Sequence, residues 1–286
     1  MTEPGLLPLI GANVNTFTNA EAKVARYVLA HPQETLYTSI TDLAERCGVA
    51  DSTVFRFCRT LKLKGYQDFK LHLAQSVSRS PNSTSIEGDI EIGAADGLRE
   101  VAAKAFAASI RVLENTAELI DYAQLEEAAA MLVAAKRVVV CGVGTSLITA
   151  QDVAAKFLRV TDKFVCHSDA HLQAMATASL SPGDVALIIS FSGATKDMVH
   201  VAGLARERGA NVMCISRFSK SPLASQSHIT LLCGANEDPL QGGSTAGKMS
   251  QLLLLEILYL AYYRLTYDES SGHNERAAAS VLEKLY

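Results

Sequence analysis

Five short runs rich in Val, Ile and Leu recur through the second half of the chain: RVVVCGVG (137–144), KFVCHS (163–168), DVALIISFS (184–192), NVMCIS (211–216) and ITLLCG (229–234). Stretches with helical spacing separate them, namely TAQDVAAKFLRV, AHLQAMATASL, ATKDMVHVAGLARERG and the short SPLASQ. Strands buried on both faces read as continuous apolar runs, and parallel neighbours need a crossover, usually a helix. The alternation therefore predicts a doubly wound α/β domain on a five-stranded parallel sheet. Two amphipathic segments, LREVAAKAFAASIRVLENTAELI and DYAQLEEAAAMLVAAK, precede the first run, so the domain is expected over residues 98–286.

The first 77 residues have a different grammar. NAEAKVARYVLAHP sets Ala22, Ala25, Val28 and Leu29 on one helical face, ends at Pro32, and has Thr18 or Asn19 as cap with Glu21 close behind. Every segment up to residue 77 reads as helix. Residues 78–97, rich in Ser, Gly and small polar residues, show neither a helical nor a strand period and read as a linker.

Composition narrows the function classes. No window approaches the roughly 18 uninterrupted apolar residues of a membrane helix, and MTEPGLLPLI lacks the basic and apolar regions of a secretion signal. A cytoplasmic protein with no membrane partner is expected. The six cysteines form no CxxC pair and lie mostly in apolar segments, so buried free thiols are expected; the seven histidines form no metal-ligand cluster. No metal or other cofactor is expected. The net charge of -4 hides an asymmetry, since residues 1–80 carry nine Lys/Arg against seven Asp/Glu, and residues 46–79 carry seven against two. A basic segment in an acidic chain points to an anionic partner, nucleic acid above all.

That segment is SITDLAERCGVADSTVFRFCRTLKLKGYQDFK, residues 39–70. A helix capped at Ser39 or Thr41 runs to Cys47, Gly48 makes the turn, and a second helix capped at Asp51 or Ser52 runs to about Leu61. Ala44, Gly48 and Val54 are spaced as in a helix-turn-helix, where a small residue lets the helices approach and a β-branched one seals the junction. Val54, Phe57, Cys58 and Leu61 form the buried stripe, which sends Ser52, Thr53, Arg56, Arg59 and Thr60 outward toward a major groove. Lys62, Lys64 and Lys70 follow, placed for backbone phosphates.

Two loops in the second half carry small hydroxyls at the ends of expected strands. CGVGTS offers Gly144, Thr145 and Ser146; SFSGATKD offers Ser190, Ser192, Gly193 and Thr195, with amides near Gly193 and Ala194 open to donate. In an open α/β sheet ligands bind beyond the carboxyl ends of the strands, where helix amino termini also point. GVG is not a dinucleotide fingerprint, because Leu147 stands where the third glycine would be. The pair of loops suits a phosphomonoester.

Residues 1–77, through FTNAEAKVARYVLAHPQE and the basic segment, resemble the helix-turn-helix of RpiR-type transcriptional regulators. The chain departs from that family at the end of the second helix, where Leu61, Lys62 and Leu63 stand in place of Leu-Gly-Phe. GVGTSLITAQDVAAKFLRV and LIISFSGATKD resemble the sugar isomerase (SIS) domain, a phosphosugar-binding fold of enzymes and regulators. The resemblance implies that Ser146, Ser190, Ser192 and Thr195 hold the phosphate and adjacent sugar, with His171 a further sugar contact. It also implies that the start of the last long helix closes over the ligand, where this chain has Ala246, Gly247 and Lys248.

The resulting expectation is a transcription factor whose SIS domain senses a sugar phosphate and alters operator binding, controlling carbohydrate or amino-sugar genes. Apolar helices at 98–120 and 249–266 offer surfaces for a homodimer or homotetramer, and a dyad would demand a palindromic operator on double-stranded DNA. The alternatives are a phosphosugar isomerase or lyase of the same fold, and a sugar-binding protein with a basic docking module. An isomerase needs a base; Glu256 lies far into the last helix, while Asp197, Glu237 and Asp238 fall nearer the loops. No paired acid and histidine converge, so no catalytic residue is expected.

Overall fold

The computed structural model describes residues 5–77, 85–87, 90–93, 95–234, 245–282 and 284. Among the described residues two compact units are present. One takes the chain up to Ser109 with Thr245 and Ala246; the other takes Ile110–Gly234 and Gly247 onward.

In the first unit, α1 (Leu6–Asn13), α2 (Asn19–Ala30), α3 (Pro32–Leu36), α4 (Ile40–Cys47), α5 (Asp51–Thr60) and α6 (Tyr66–Val77) enclose one core around Phe57. Phe17 and Phe69 meet its ring edge-on, centroids 5.3 and 5.8 Å away. Thr18 caps α2 in a full capping box with Glu21. Val24, not Leu29, completes the buried face of that helix: Leu29 is 37% exposed, because it lies at the edge of the stripe that Ala25 and Val28 bury. The expected linker is not wholly irregular, since β1 (Ser85–Glu87) and β2 (Ile90–Glu91) pair antiparallel within it. Such a short ribbon leaves no period for sequence to register.

The long α7 (Leu98–Glu118) leads to α8 (Tyr122–Ala134) and then the second unit alternates: β3 (Val138–Cys141), α9 (Thr145–Phe157), β4 (Phe164–Cys166), α10 (Ala170–Ala178), β5 (Val185–Ile189), α11 (Lys196–Glu207), β6 (Asn211–Ser216), β7 (Ile229–Leu232), α12 (Thr245–Leu265) and α13 (Tyr267–Leu282). The five strands are parallel in the order β4-β3-β5-β6-β7. Side chains alternate between two cores. Val138, Val140, Val185 and Leu187 face α8, α9 and α12, while Val139, Cys141, Ala186 and Ile188 face α10 and α11. Phe157 of α9 stacks on Phe164 of β4 and meets Tyr262 of α12 edge-on, joining both helices to the sheet. SPLASQ supplies only a single 3-10 turn, Ala224–Gln226, between β6 and β7.

From β3 the chain crosses to the edge strand β4 and returns on the other side as β5. Neighbouring strands whose outgoing connections part in this way mark the switch point at which an open sheet leaves a crevice. Val140 lies opposite Leu187 and Cys141 opposite Ile188, so residues 142–146 and 190–195 leave the sheet side by side.

No helix among the described residues is long and apolar enough to cross a membrane. All six cysteines are free thiols, five buried and Cys166 partly so. Burial pushes the Cys58 and Cys141 thiols up to about 12, which keeps them protonated and inert.

Candidate functional site: a helix-turn-helix and a strand-end crevice

Ser39 caps α4, accepting from the Asp42 amide at 3.0 Å. Gly48 then turns the chain at φ 61, its amide reaching the Glu45 carbonyl, while the Val49 amide reaches Ala44. A side chain at this φ would be strained, which is what the glycine provides for. Neither Asp51 nor Ser52 caps α5: Ala50 holds the cap position, and the Asp51 carboxylate instead accepts from Thr41 Oγ1 at 2.9 Å, tying the start of α5 to α4. Val54, Phe57, Cys58 and Leu61 are buried as their spacing demands.

The outward face differs from expectation in three places. Thr53 is only 9% exposed, because it sits one turn before Phe57 on the flank of the buried stripe. Lys70 is also buried, its ammonium against the Thr38 carbonyl at 3.4 Å and 5.9 Å from the Tyr66 ring centre, away from any phosphate. Arg56 and Thr60 are exposed but tethered, since Glu21 of α2 accepts from Thr60 Oγ1 at 2.9 Å and pairs with Arg56 at 3.6 Å. Burial would raise the Glu21 pKa, but hydrogen bonds from Thr18 and Thr60 and the Arg56 charge outweigh it and hold the carboxyl below its ordinary value. Ser52, Arg59, Lys62 and Lys64 stay exposed.

Lys62 is the one non-glycine residue with positive φ among the described residues. Its φ is 63; its amide reaches the Arg59 carbonyl, and the Leu63 amide reaches Cys58 at 3.0 Å. This is a Schellman turn closed over two buried side chains, with a lysine in the left-handed region that normally favours glycine.

At the crevice, Gly142 and Gly144 shape the first loop. A Cβ on Gly142 would stand 2.6 Å from the Ser146 carbonyl oxygen, so only glycine lets α9 start there. Gly144 holds the cap position of α9 and has no side chain to cap with; Thr145 is exposed and Ser146 half-buried. In the second loop, Thr195 holds the cap position of α11 and makes no side-chain cap. Among the described residues no side chain accepts from the first-turn amides of α9 and α11, whereas Asp121 and Asp169 cap α8 and α10 in the same unit. The Gly193 and Ala194 amides, expected to be open, are taken: Gly193 donates to the Ser190 carbonyl at 3.1 Å and Ala194 to Ser192 Oγ at 3.2 Å, closing the loop on itself. Ser190 Oγ and Thr195 Oγ1 lie 3.4 Å apart.

Buried polar residues that spacing did not single out fix both loops. Gln173 of α10, wholly buried, accepts from the Gly142 amide at 3.1 Å and donates to the Gly142 and His167 carbonyls at 2.9 and 2.8 Å. Ser216 donates to the Phe191 carbonyl, and the Leu223 amide reaches the Gly193 carbonyl, bracing the second loop. The single side-chain amide in AHLQAMATA was the one available signal for Gln173.

On α12, Gln251 accepts from Thr149 Oγ1 of α9 at 3.2 Å, both side chains being buried. Half-buried Lys248 thus lies one turn from a residue that touches α9 one turn beyond Thr145. His171 is exposed on the first turn of α10, and its ring makes no hydrogen bond or ion pair among the described residues; nothing draws it to either loop. Glu256 pairs with Lys156, eleven residues along α9 from Thr145 and so about 16 Å away at 1.5 Å per residue. Glu237 and Asp238 lie outside the described residues; Asp197 is exposed in the first turn of α11.

Comparison with known proteins agrees with this geometry. A helix-turn-helix domain of the rpiR family matches residues 4–80, and a SIS domain matches residues 131–261. An HTH-type transcriptional regulator of Caldanaerobacter subterraneus is 31% identical over 92% of this chain and 92% of its own. The HTH-type transcriptional regulator HexR of Escherichia coli is 31% identical over 85% and 86%. Among solved structures, the NanR protein of Vibrio vulnificus complexed with ManNAc-6P superposes with a TM-score of 0.87 at 29% identity, covering 99% of this chain and all of the other. The helix-turn-helix, the five-stranded parallel sheet and full-length likeness to these regulators together place the chain in the RpiR family of HTH-type transcriptional regulators.

Proposed function

We propose that this regulator binds a sugar phosphate in the crevice between residues 142–146 and 190–195, and that binding changes its affinity for a DNA operator. The observation that carries the reading is the pair of side-by-side strand-end loops whose helices, α9 and α11, begin without side-chain caps. Uncapped amides at a helix start attract an anion. Thr145, Ser146, Ser190, Ser192 and Thr195 supply hydroxyls around it, with Gly144 and Gly193 shaping the backbone, and Lys248 is the cation placed to approach from α12. ManNAc-6P is the first ligand to assay, since the NanR complex contains it.

On the DNA side, Ser52 and Arg59 read the major groove, Arg56 and Thr60 work from their anchorage on Glu21, and Lys62 and Lys64 meet backbone phosphates. Two copies bind as a dimer to a palindromic site, with α7 and α12 as the surfaces that join them. The protein acts in the cytoplasm and performs no chemistry on its ligand. Supporting this, Glu256 is paired with Lys156 about three turns from the start of α9, and among the described residues no histidine forms an ion pair with Asp197.

A thermal-shift screen against sugar phosphates tests the reading. A true effector at a hundred times its dissociation constant adds about 2.7 kcal/mol of stability. If no sugar phosphate raises the melting temperature, or if one is turned over, the sensor reading fails.

A further inference from the structure

The outward face of α5 carries an aromatic residue that a polar DNA-reading surface does not need. Phe55 is 43% exposed, in the first half of the helix. At 100° per residue, Ser52, Phe55 and Arg59 fall at i, i+3 and i+7, within an arc of about 60° on the side opposite the buried Val54, Phe57, Cys58 and Leu61. Arg56 and Thr60 lie on the other flank of that face, held by Glu21. The Ser52–Phe55–Arg59 strip lacks that tie to Glu21, Arg59 donating instead to the Leu63 carbonyl at 3.4 Å, and its centre is apolar.

The ring is positioned as well as exposed. A Cβ on Gly65 would lie 3.3 Å from Phe55 Cε2, so Phe55 rests one edge on the glycine backbone that follows the α5 turn. The residue is nonetheless 43% exposed. An exposed aromatic gains only when a partner covers it, and in the major groove one base presents an apolar group, the 5-methyl of thymine.

We propose that Phe55 is a specificity-determining residue that packs on a thymine methyl in each half-site of the operator. This rests on α5 entering the major groove, and its test separates failure of the two. A duplex operator is first selected from a random pool with the full-length protein, and each thymine is then replaced in turn by deoxyuridine, which lacks only the methyl. Wild type loses about fourfold in affinity at one position of each half-site, the worth of one buried methyl. Phe55→Ala, checked for unchanged melting temperature, binds more weakly overall and no longer distinguishes thymine from uracil there; Phe55→Leu keeps part of the distinction. If no duplex is selected, the DNA-reading assignment of α5 itself fails. If a duplex is selected but no uracil substitution weakens wild type, or Phe55→Ala retains the same fourfold loss, α5 reads DNA without Phe55 and the present inference is overturned.

Discussion

Thr60 Oγ1, at the end of α5, donates across 2.9 Å to Glu21 Oε1, in the first turn of α2. The same carboxylate completes the α2 capping box with Thr18 and pairs with Arg56, so one buried acid orients the reading helix against the bundle. Replacing it with alanine strips three donors of their acceptor. Glu21→Ala is expected to cost about 2–3 kcal/mol in urea unfolding and to weaken operator binding beyond what the lost stability explains, because Arg56 loses its anchorage.

Acid should erase this contribution. The Glu21 carboxyl titrates below its ordinary 4.5 in the folded protein, so the unfolded chain takes up the proton first as pH falls. The stabilisation is complete above about pH 4.5 and disappears as pH drops through the folded value. Urea unfolding of wild type and Glu21→Gln should differ most near neutrality and converge below that range; a constant gap would contradict the assignment.

Lys62 offers a case in which stability and binding move in opposite directions. Its left-handed backbone costs about 1–2 kcal/mol, of which glycine would relieve all but the roughly 0.5–1 kcal/mol it adds to unfolded-chain entropy. Lys62→Gly should therefore stabilise the helical unit by about 0.5–1 kcal/mol. It should also weaken DNA binding and flatten its salt dependence by about one phosphate contact.

Gln173 is expected to act on the ligand at one remove. Gln173→Leu leaves the buried Gly142 amide and two carbonyls without their partner, at a cost of about 2–4 kcal/mol, and frees the loop that leads into α9. Calorimetry should record weakened sugar-phosphate binding while DNA binding without ligand persists. Retained ligand affinity would mean that the loop is held by its glycines alone.

The architecture of the second unit was legible because parallel strands are buried on both sides and advertise themselves as Val/Ile/Leu runs; VVVC and VALII are entirely buried. The helix-turn-helix was legible because Gly48 and the Val54–Leu61 stripe are local signals. What escaped was long-range or angular. Gln173 acts on a backbone 31 residues earlier, a relation no periodicity encodes. Thr53 and Leu29 lie at the margins of helical faces, where a few tens of degrees decide burial. Lys70 reads as a surface cation until α6 packs it against Thr38.

The central claim is that a sugar phosphate held by the two strand-end loops governs DNA binding. The most direct measurement is fluorescence anisotropy of a selected operator titrated with wild type and with Ser190→Ala/Ser192→Ala, each with and without a panel of sugar phosphates headed by ManNAc-6P. At least one sugar phosphate should shift the wild-type dissociation constant by tenfold or more, which is about 1.4 kcal/mol of coupling, and should leave the double variant unmoved while its unliganded DNA affinity stays intact. An equal shift in both proteins, or none in wild type, would contradict the account.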